Sequence, residues 1–496
     1  MEDILHYLET VPAKGLGICE DTSLWQVTAV IIPGCLSYSL VPLLKLHLHI
    51  TSHRYVWLVE CCTLLVPLIL VVTVLADFAI LLLFLQLVLL FSLVVALSPS
   101  IETLRHTYNK FLQEKINNQG GHLSFVTGFR AYIYMITAVC KLAVDFTLIY
   151  QRNLRKSDAY GYGLMDIGVG AFTVINGMAL YSNKIKYVKW RGWSWLPHSV
   201  LYKLLSGSLL LLFLGFTRFA LLHVINYSTD AAEYGLHWNF FYTLAAVQML
   251  ASVLYYMIPL EVSGYTALLL LSLHEFTILP SVTREWLIDN DAERNNLLSA
   301  NKEGVFSVGG FLALYVGSVQ LMQLLHTNRC DYRDIMSRLW KLLIACLGLL
   351  IITLFLQTEY YGPSRRMANI TYVAWIMFNV MLILMILLAQ DLLLHFIYLN
   401  KPDVSSEVVA CGVMFSAVNY NGLGFFLLTN VLTGLVNMAV STSECSVLTS
   451  LVILLLYIIS AVGVCQLMYV RRVRLVLCSP MTLTKLCIKH CVAAVR

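Results

Sequence analysis

Apolar residues fill long windows from one end of this chain to the other, and only short polar stretches separate them. Windows of about 20 apolar residues fall near 23–44, 55–76, 78–98, 128–150, 162–181, 199–222, 237–258, 260–280, 305–325, 342–357, 370–397, 408–440 and 447–470. Each is long enough, as an α-helix, to cross a bilayer core of about 30 Å. The 408–440 window is interrupted by Asn419, Asn421 and Gly422, which predicts an interfacial segment before a span at 423–440. The pattern therefore predicts about 13 spans, within a range of roughly 12 to 14. In lipid every backbone N–H and C=O must be bonded within its own segment, so spans of this length are helices. The expected fold class is all-α, a polytopic integral membrane protein. No inverted or tandem repeat of the transporter kind is visible.

Composition agrees: 496 residues, 59% hydrophobic and 12% charged. A soluble chain carries about 25% charged residues. No stretch between the windows is long enough to fold alone, which gives one membrane domain, 23–470, with a short segment 1–22 before it and a tail 471–496 after it. The first residues are acidic (Glu2, Asp3, Glu9), unlike the basic start of a signal peptide, so the first apolar run is expected to span. The 13 cysteines form no CxxC pair and no Cys/His cluster with metal spacing, so no metal is implied. Cys61 and Cys62 are expected to be buried thiols. Cys487 and Cys491 follow a basic segment and are candidates for palmitoylation.

An odd number of spans puts the two termini on opposite faces. The loops on the C-terminal side then hold about 20 basic residues and those on the other side about 9, which predicts a cytoplasmic tail and a lumenal 1–22 segment.

The minority basic residues sit in compact polar clusters. One runs from Asp145 through Arg152, Arg155, Lys156 and Asp158 to Asp166. The others are EYGLHWNF (233–240), SANKEG (299–304), SRRMAN (364–369), and the pair Asn430 and Asn437. All five fall on the inferred lumenal half, which points to a site at that boundary.

Asp145 closes an apolar stretch and has Lys141 four residues earlier, on the same helical face. Either the two satisfy each other as an intramembrane pair, or Asp145 is a shielded general base that takes a proton from a substrate hydroxyl. Lys156 is either a solvated loop residue or a cation that orients the carboxylate and stabilises an oxyanion. Arg365 and Arg366 are either interfacial anchors or a bidentate phosphate grip. His237 reads as a capping or satisfied histidine as readily as a ligand-binding one. Trp238 and Trp286 suit an aromatic belt. The glycines of MDIGVG (165–170) suit close helix packing and, lacking a preceding strand, are no dinucleotide fingerprint. Arg218 and Lys203 are left without a role. The sequon Asn226-Tyr-Ser228 lies too near a span end to be glycosylated.

Six stretches resemble the GPI inositol acyltransferases, the phosphatidylinositol-glycan class W and fungal GPI-anchored wall transfer family. They are AVDF (143–146), YGYGLMDIGVGAF (160–172), EYGLHWNFF (233–241), LLSANKEGVFS (297–307), SRRMAN (364–369) and FFLLTNVLTGLVN (425–437). The resemblance implies an endoplasmic-reticulum enzyme that moves a long-chain acyl group, usually palmitoyl, from acyl-CoA to the inositol 2-hydroxyl of glucosaminyl-phosphatidylinositol. It implies no cofactor, with acyl-CoA as co-substrate, membrane lipids as surroundings and no nucleic-acid partner. It carries a catalytic Asp onto Asp145 and a catalytic loop Lys onto Lys156. The loop TLIYQRNLRK is one residue longer than the family pattern, so counting forward from Asp145 selects Arg155 instead. Asp166, His237, Asn239, Asn301, Lys302, Arg365, Arg366, Asn369 and Asn430 stand in the matching motifs as expected substrate-binding residues. A transporter or scramblase, an acyltransferase with another acceptor, and a non-catalytic scaffold remain the competing readings of the residues themselves.

Overall fold

The computed structural model describes residues 23–50, 52–98, 101–113, 123–187, 198–224, 231–326, 332–399 and 412–475. The segment 1–22, the sequon at 226–228, Lys189, Lys401 and the tail cysteines lie outside them. Among the described residues there are helices and no strand.

The helices in chain order are α1 (Leu24–His47); α2, formed by His53–Glu60, a π turn at Cys61–Leu65, and Val66–Val72; α3 (Ala79–Leu97); α4 (Ile101–Gln113); α5 (Ser124–Ala143); α6 (Leu164–Tyr187); and α7 (His198–Val224). A short α8 (Ala231–Tyr234) leads to α9 (Phe240–Met257), α10 (Ser263–Ile278) and α11 (Ser281–Ile288). A second short helix, α12 (Leu297–Ala300), precedes α13 (Lys302–Leu325), α14 (Tyr332–Glu359), α15 (Ile370–Tyr398), α16 (Val413–Tyr420), α17 (Gly422–Ala439) and α18 (Val447–Val470). Among the described residues twelve helices are long and apolar enough to span, or thirteen if the bent pair α10–α11 counts as one. The expected polytopic all-α fold stands.

Two windows differ in detail. The 260–280 window bends by 85° into α11, because Pro280 cannot donate the helical hydrogen bond and disfavours helical backbone before it. The 408–440 window breaks at Asn421, and α16 packs into the bundle against α5 and α18. Of the cysteine pair, Cys61 is buried but Cys62 faces outward, because the π turn rotates the two to different sides.

The deepest core joins α1, α5, α6, α13 and α15. Phe129, Tyr132, Tyr315, Trp375 and Tyr372 are fully buried there. α3 and α14 lie outside and turn Phe84, Phe91, Ile344 and Phe355 outward, as lipid-facing helices do. Close packing is set by small residues. A Cβ on Gly310 would meet the Ala368 carbonyl oxygen at 2.0 Å, so α13 runs directly under the SRRMAN turn. That contact fixes the height of the turn above the core and hence the position of Arg365.

Candidate active site

The five polar clusters come together at one end of the bundle. The Gly161 N–H donates to the Pro363 carbonyl at 2.9 Å, and that of Leu236 to the Ala300 carbonyl at 2.9 Å. Arg366 Nη1 donates to the Asp158 carbonyl at 3.3 Å. Across the bundle, Asn437 Nδ2 donates to Asp145 Oδ2 at 2.8 Å. These bonds tie together the α5–α6 loop, the α8–α9 entry, the α12–α13 junction, the α14–α15 loop and the end of α17.

A relay of charge crosses this layer. Asp166, in the first turn of α6, accepts from Ser157 N at 2.9 Å and Ser157 Oγ at 2.8 Å, and pairs with Arg365 Nε at 2.7 Å. The guanidinium of Arg365 lies 5.4 Å from the Tyr234 ring centre. Ser157 is thereby pinned, and its neighbour Lys156 reaches across to Glu233 on α8. A Cβ at Gly163 would meet the Arg155 carbonyl at 2.3 Å and Asp166 Oδ2 at 2.5 Å, so this loop closes only over a glycine. Gly235 has φ +116° and leaves room for the Asn301 backbone; there too only glycine fits. Burial pushes the Glu233 carboxyl up, but Lys156 and Arg365 outweigh it and hold the group below the usual carboxylate range. Glu233 is thus an ionised counter-charge for Lys156.

Below the layer lies a cavity of about 680 Å³ between α5, α6, α7, α9 and α17. Its wall is apolar, with Ile133, Ile136, Met165, Phe172, Leu221 and Phe426 among the lining residues. Lys141, Lys156, Arg218 and Glu233 supply its charges. Three cations against one carboxylate leave that part of the wall net positive. Lys141 Nζ lies 5.1 Å from the Phe426 ring centre and makes no ion pair with Asp145. The pair reading of these two residues therefore fails, since the lysine turns into the cavity and the carboxylate turns to Asn437.

Asp145 sits just past α5, half-buried; it does not itself line the cavity, but its neighbours do. Lys141, one turn before it, lines the cavity, as do Gly434 and Met438 on either side of its partner Asn437. Burial pushes the Asp145 carboxyl up, while the hydrogen bond from Asn437 and the charges of Lys141 and Arg155 act the other way. A carboxylate with a raised pKa is a stronger proton acceptor than a solvated one. A general base works only when ionised, so if Asp145 fills that role activity is expected to fall as pH drops through its pKa. Asn437→Ala removes a donor that favours the ionised form. The acid limb of the kcat/KM profile is expected to move to higher pH, while Asn437→Asp, which adds a second carboxylate, is expected to move it further. An unmoved limb in both would mean that Asp145 does not set it.

The expected substrate-binding residues divide. Asn430 lines the cavity. Seven others have protein partners. Asn239 caps α9, accepting from Phe241 N at 3.0 Å and donating to the Gly215 carbonyl at 3.0 Å. Asn369 caps α15, accepting from Tyr372 N at 3.1 Å and Ser364 N at 2.9 Å. Asn301 accepts from His237 N and donates to the Leu297 carbonyl, both at 2.9 Å. Lys302 donates to the carbonyls of Trp286 and, at 2.7 Å, Asp289. Arg366 donates to Asn290 Oδ1 at 2.9 Å and to Glu303, which also pairs with Arg294 at 2.7 Å. Asp166 and Arg365 hold each other. His237 is exposed, with its ring against Phe219 at 5.8 Å. The gathering of the motifs on one face leads one to expect most of Asp145, Lys156, His237, Lys302 and Arg366 around a single cavity; of the five only Lys156 lines it, so that expectation is corrected. The polar layer is one connected roof, and part of it opens below. Glu233, Tyr234 and Arg218 line the cavity without having been singled out as site residues.

No group of three or more metal-ligating side chains occurs among the described residues. The whole defines a multi-pass membrane protein with a lipid-sized, cation-rimmed cavity under a polar roof. The GWT1 family model matches residues 18–468, and the chain belongs to that family. It is 32% identical to the bovine "Glucosaminyl-phosphatidylinositol-acyltransferase PIGW" over 465 residues, 85% of this chain and 88% of that protein. It is also 32% identical to the human protein of that name over 377 residues, 70% and 72% of the two chains. Identity is 33% to "GPI-anchored wall transfer protein 1" of Schizosaccharomyces pombe over 343 residues, 67% and 69% of the two chains.

Proposed function

We propose that this chain transfers a long-chain acyl group, palmitoyl in the first instance, from acyl-CoA to the inositol 2-hydroxyl of glucosaminyl-phosphatidylinositol. It is an acyltransferase, as its relatives' names state, and GPI inositol acylation is its reaction. The donor, the chain length and the residue roles are our reading. The observation that carries it is the apolar cavity whose charged wall residues, among those described, are three cations and a carboxylate, with Asp145 one turn beyond the lining residue Lys141.

A thioester is already activated, so no Ser or Cys nucleophile is needed. The inositol hydroxyl oxygen attacks the thioester carbonyl carbon, and its proton passes to Asp145. The carbonyl oxygen gains negative charge, which Lys156 is placed to stabilise. The C–S bond then breaks and CoA leaves as its thiolate, which takes up the proton held by Asp145 and so restores the carboxylate. The acyl tail occupies the apolar wall, while Lys141 and Arg218 offer partners for the donor's phosphates. Asn430 contacts the reacting end of the donor. Asp166, Arg365, Asn369, Asn239, Asn301, Lys302 and Arg366 hold the roof that presents the acceptor, and His237 lies at its outer edge. We assign the enzyme to the endoplasmic-reticulum membrane, as the resemblance implies, with the roof lumenal and the tail cytoplasmic on the excess of basic residues in the tail-side loops.

The cavity assignment has its own test. A Cβ on Gly434 would meet nothing within 4 Å, and Gly434 lines the cavity. The first carbon of a Gly434→Phe side chain therefore meets no neighbour, and the ring is aimed to fill cavity space. The substitution is expected to raise the KM for palmitoyl-CoA about tenfold and to shift preference toward shorter acyl chains. Unchanged KM and chain preference in a well-folded variant would place the donor elsewhere.

A further inference from the structure

At the opposite end of the bundle, α16 and α17 meet at a break on Asn421, which has φ −121° and ψ 39°. Asn421 does not cap α17. Its side chain is spent on the residues that follow α18: Nδ2 donates to the Val473 carbonyl at 3.0 Å, and Oδ1 accepts from Leu475 N at 2.9 Å. The Tyr420 hydroxyl donates to the Arg472 carbonyl at 3.4 Å. Leu475 closes onto Gly424, where a Cβ would meet its Cδ1 at 2.8 Å. This fold-back holds the Arg474 guanidinium 5.6 Å from the Tyr420 ring centre.

Arg130 faces the same break from α5. Tyr134, one turn further on and on the same face, packs against Gly422, where a Cβ would meet its ring at 2.6 Å. Arg130 makes no ion pair and no hydrogen bond among the described residues, and its Nε is buried without a partner. Among the described residues no carboxylate pairs with it, and the nearby full charge is that of Arg474, of like sign. The first amides of α17, an 18-residue helix, point toward the break uncapped. A guanidinium inside a span, beside a second one and with no anion, is costly. Every donor here asks for the same thing, an anion with several acceptor oxygens.

We propose that Arg130 and Arg474, with the start of α17, clamp the phosphate of an anionic membrane phospholipid. The position favours a lipid over a soluble phosphate. Arg130 lies fifteen residues before Asp145 on α5, about 22 Å along the helix, so this end is near the far edge of the bilayer core. Tyr420 and Tyr469 stack edge-on there at 5.4 Å, as boundary aromatics do. Exposed Arg471 and Arg472 add basic charge beside the last span, and basic pockets between helices at a membrane surface take lipid headgroups. The site adjoins the far end of the acyl cavity, since Tyr132 and Phe172 line that cavity and the Tyr134 ring lies 5.2 Å from the Phe172 ring, but it uses none of the reacting groups proposed above.

The test is native mass spectrometry of the full-length protein in a neutral detergent, titrated with phosphatidylserine. The wild-type chain is expected to retain one phosphatidylserine in preference to phosphatidylcholine. Arg130→Gln and Arg474→Gln are each expected to weaken that binding about tenfold, with Arg130→Lys intermediate, and Arg471→Gln is expected to leave it unchanged. Arg474 is exposed, so its variant carries the test even where Arg130→Gln fails to fold. Equal retention by wild type and Arg474→Gln overturns the proposal. So does equal weakening by Arg471→Gln, which would mean diffuse surface charge. Displacement of the lipid by adenosine 3′,5′-bisphosphate would assign the clamp to a nucleotide phosphate and overturn the lipid assignment.

Discussion

Asp145→Asn is expected to reduce turnover by about 100-fold or more while leaving the fold and the acyl-donor KM close to normal. The amide keeps the shape of the carboxylate, and it can still bond to Asn437 by reversing the two amides. It cannot accept a proton. The folding cost is small because Asp145 makes no ion pair within 4 Å and is only half-buried. The assay is single-turnover acyl transfer by purified protein, with thermal unfolding measured on the same preparation. Near-normal transfer by folded Asp145→Asn protein removes the general-base role.

The second large effect belongs to Lys156. Lys156→Ala is expected to cost about 100-fold in kcat, and Arg155→Ala no more than a few-fold. The two residues are adjacent, but the loop sends them different ways. Lys156 lines the cavity and binds Glu233, whereas Arg155 does not line it and its charge acts on Asp145. Lys156→Arg keeps the charge and loses the compact ammonium, so partial recovery is expected. Glu233→Gln leaves Lys156 without its counter-charge and is expected to be milder than Lys156→Ala. If Arg155→Ala is the inactive variant, the extra residue of this loop lies after position 155 and the roles of the two cations exchange.

The sequence carried the fold well, because lipid leaves a chain few choices. A run such as Ala79–Leu97, nearly all aliphatic, can only be a span. The gathering of the polar motifs was also legible, because each motif lies at a span end and the ends alternate between faces. What the sequence hid was the division of labour inside the roof. Asn239 and Asn369 stand directly before apolar helical runs, the position of an N-cap, and their side chains are consumed by helix amides. Lys302 and Arg366 read as free cations because the carbonyls and Glu303 that take them are distant in sequence. Glu233 was visible as the carboxylate of EYGLHWNF. Its role needed the fold, which brings Lys156 across 77 residues of chain to meet it. Arg218 had no local signal beyond its depth in a span, and only the packing of α7 against the cavity gives it a place.

On the proposed function one polypeptide acylates inositol, with Asp145 one turn beyond the lysine that lines its own donor cavity. The direct measurement is transfer by the purified, reconstituted chain from radiolabelled palmitoyl-CoA to glucosaminyl-phosphatidylinositol, with Asp145→Asn alongside. The account predicts a labelled product, alkali-labile as an ester and dependent on the inositol 2-hydroxyl, that falls about 100-fold in the variant. Label on a different acceptor position, or an equal yield from wild type and Asp145→Asn, would contradict it.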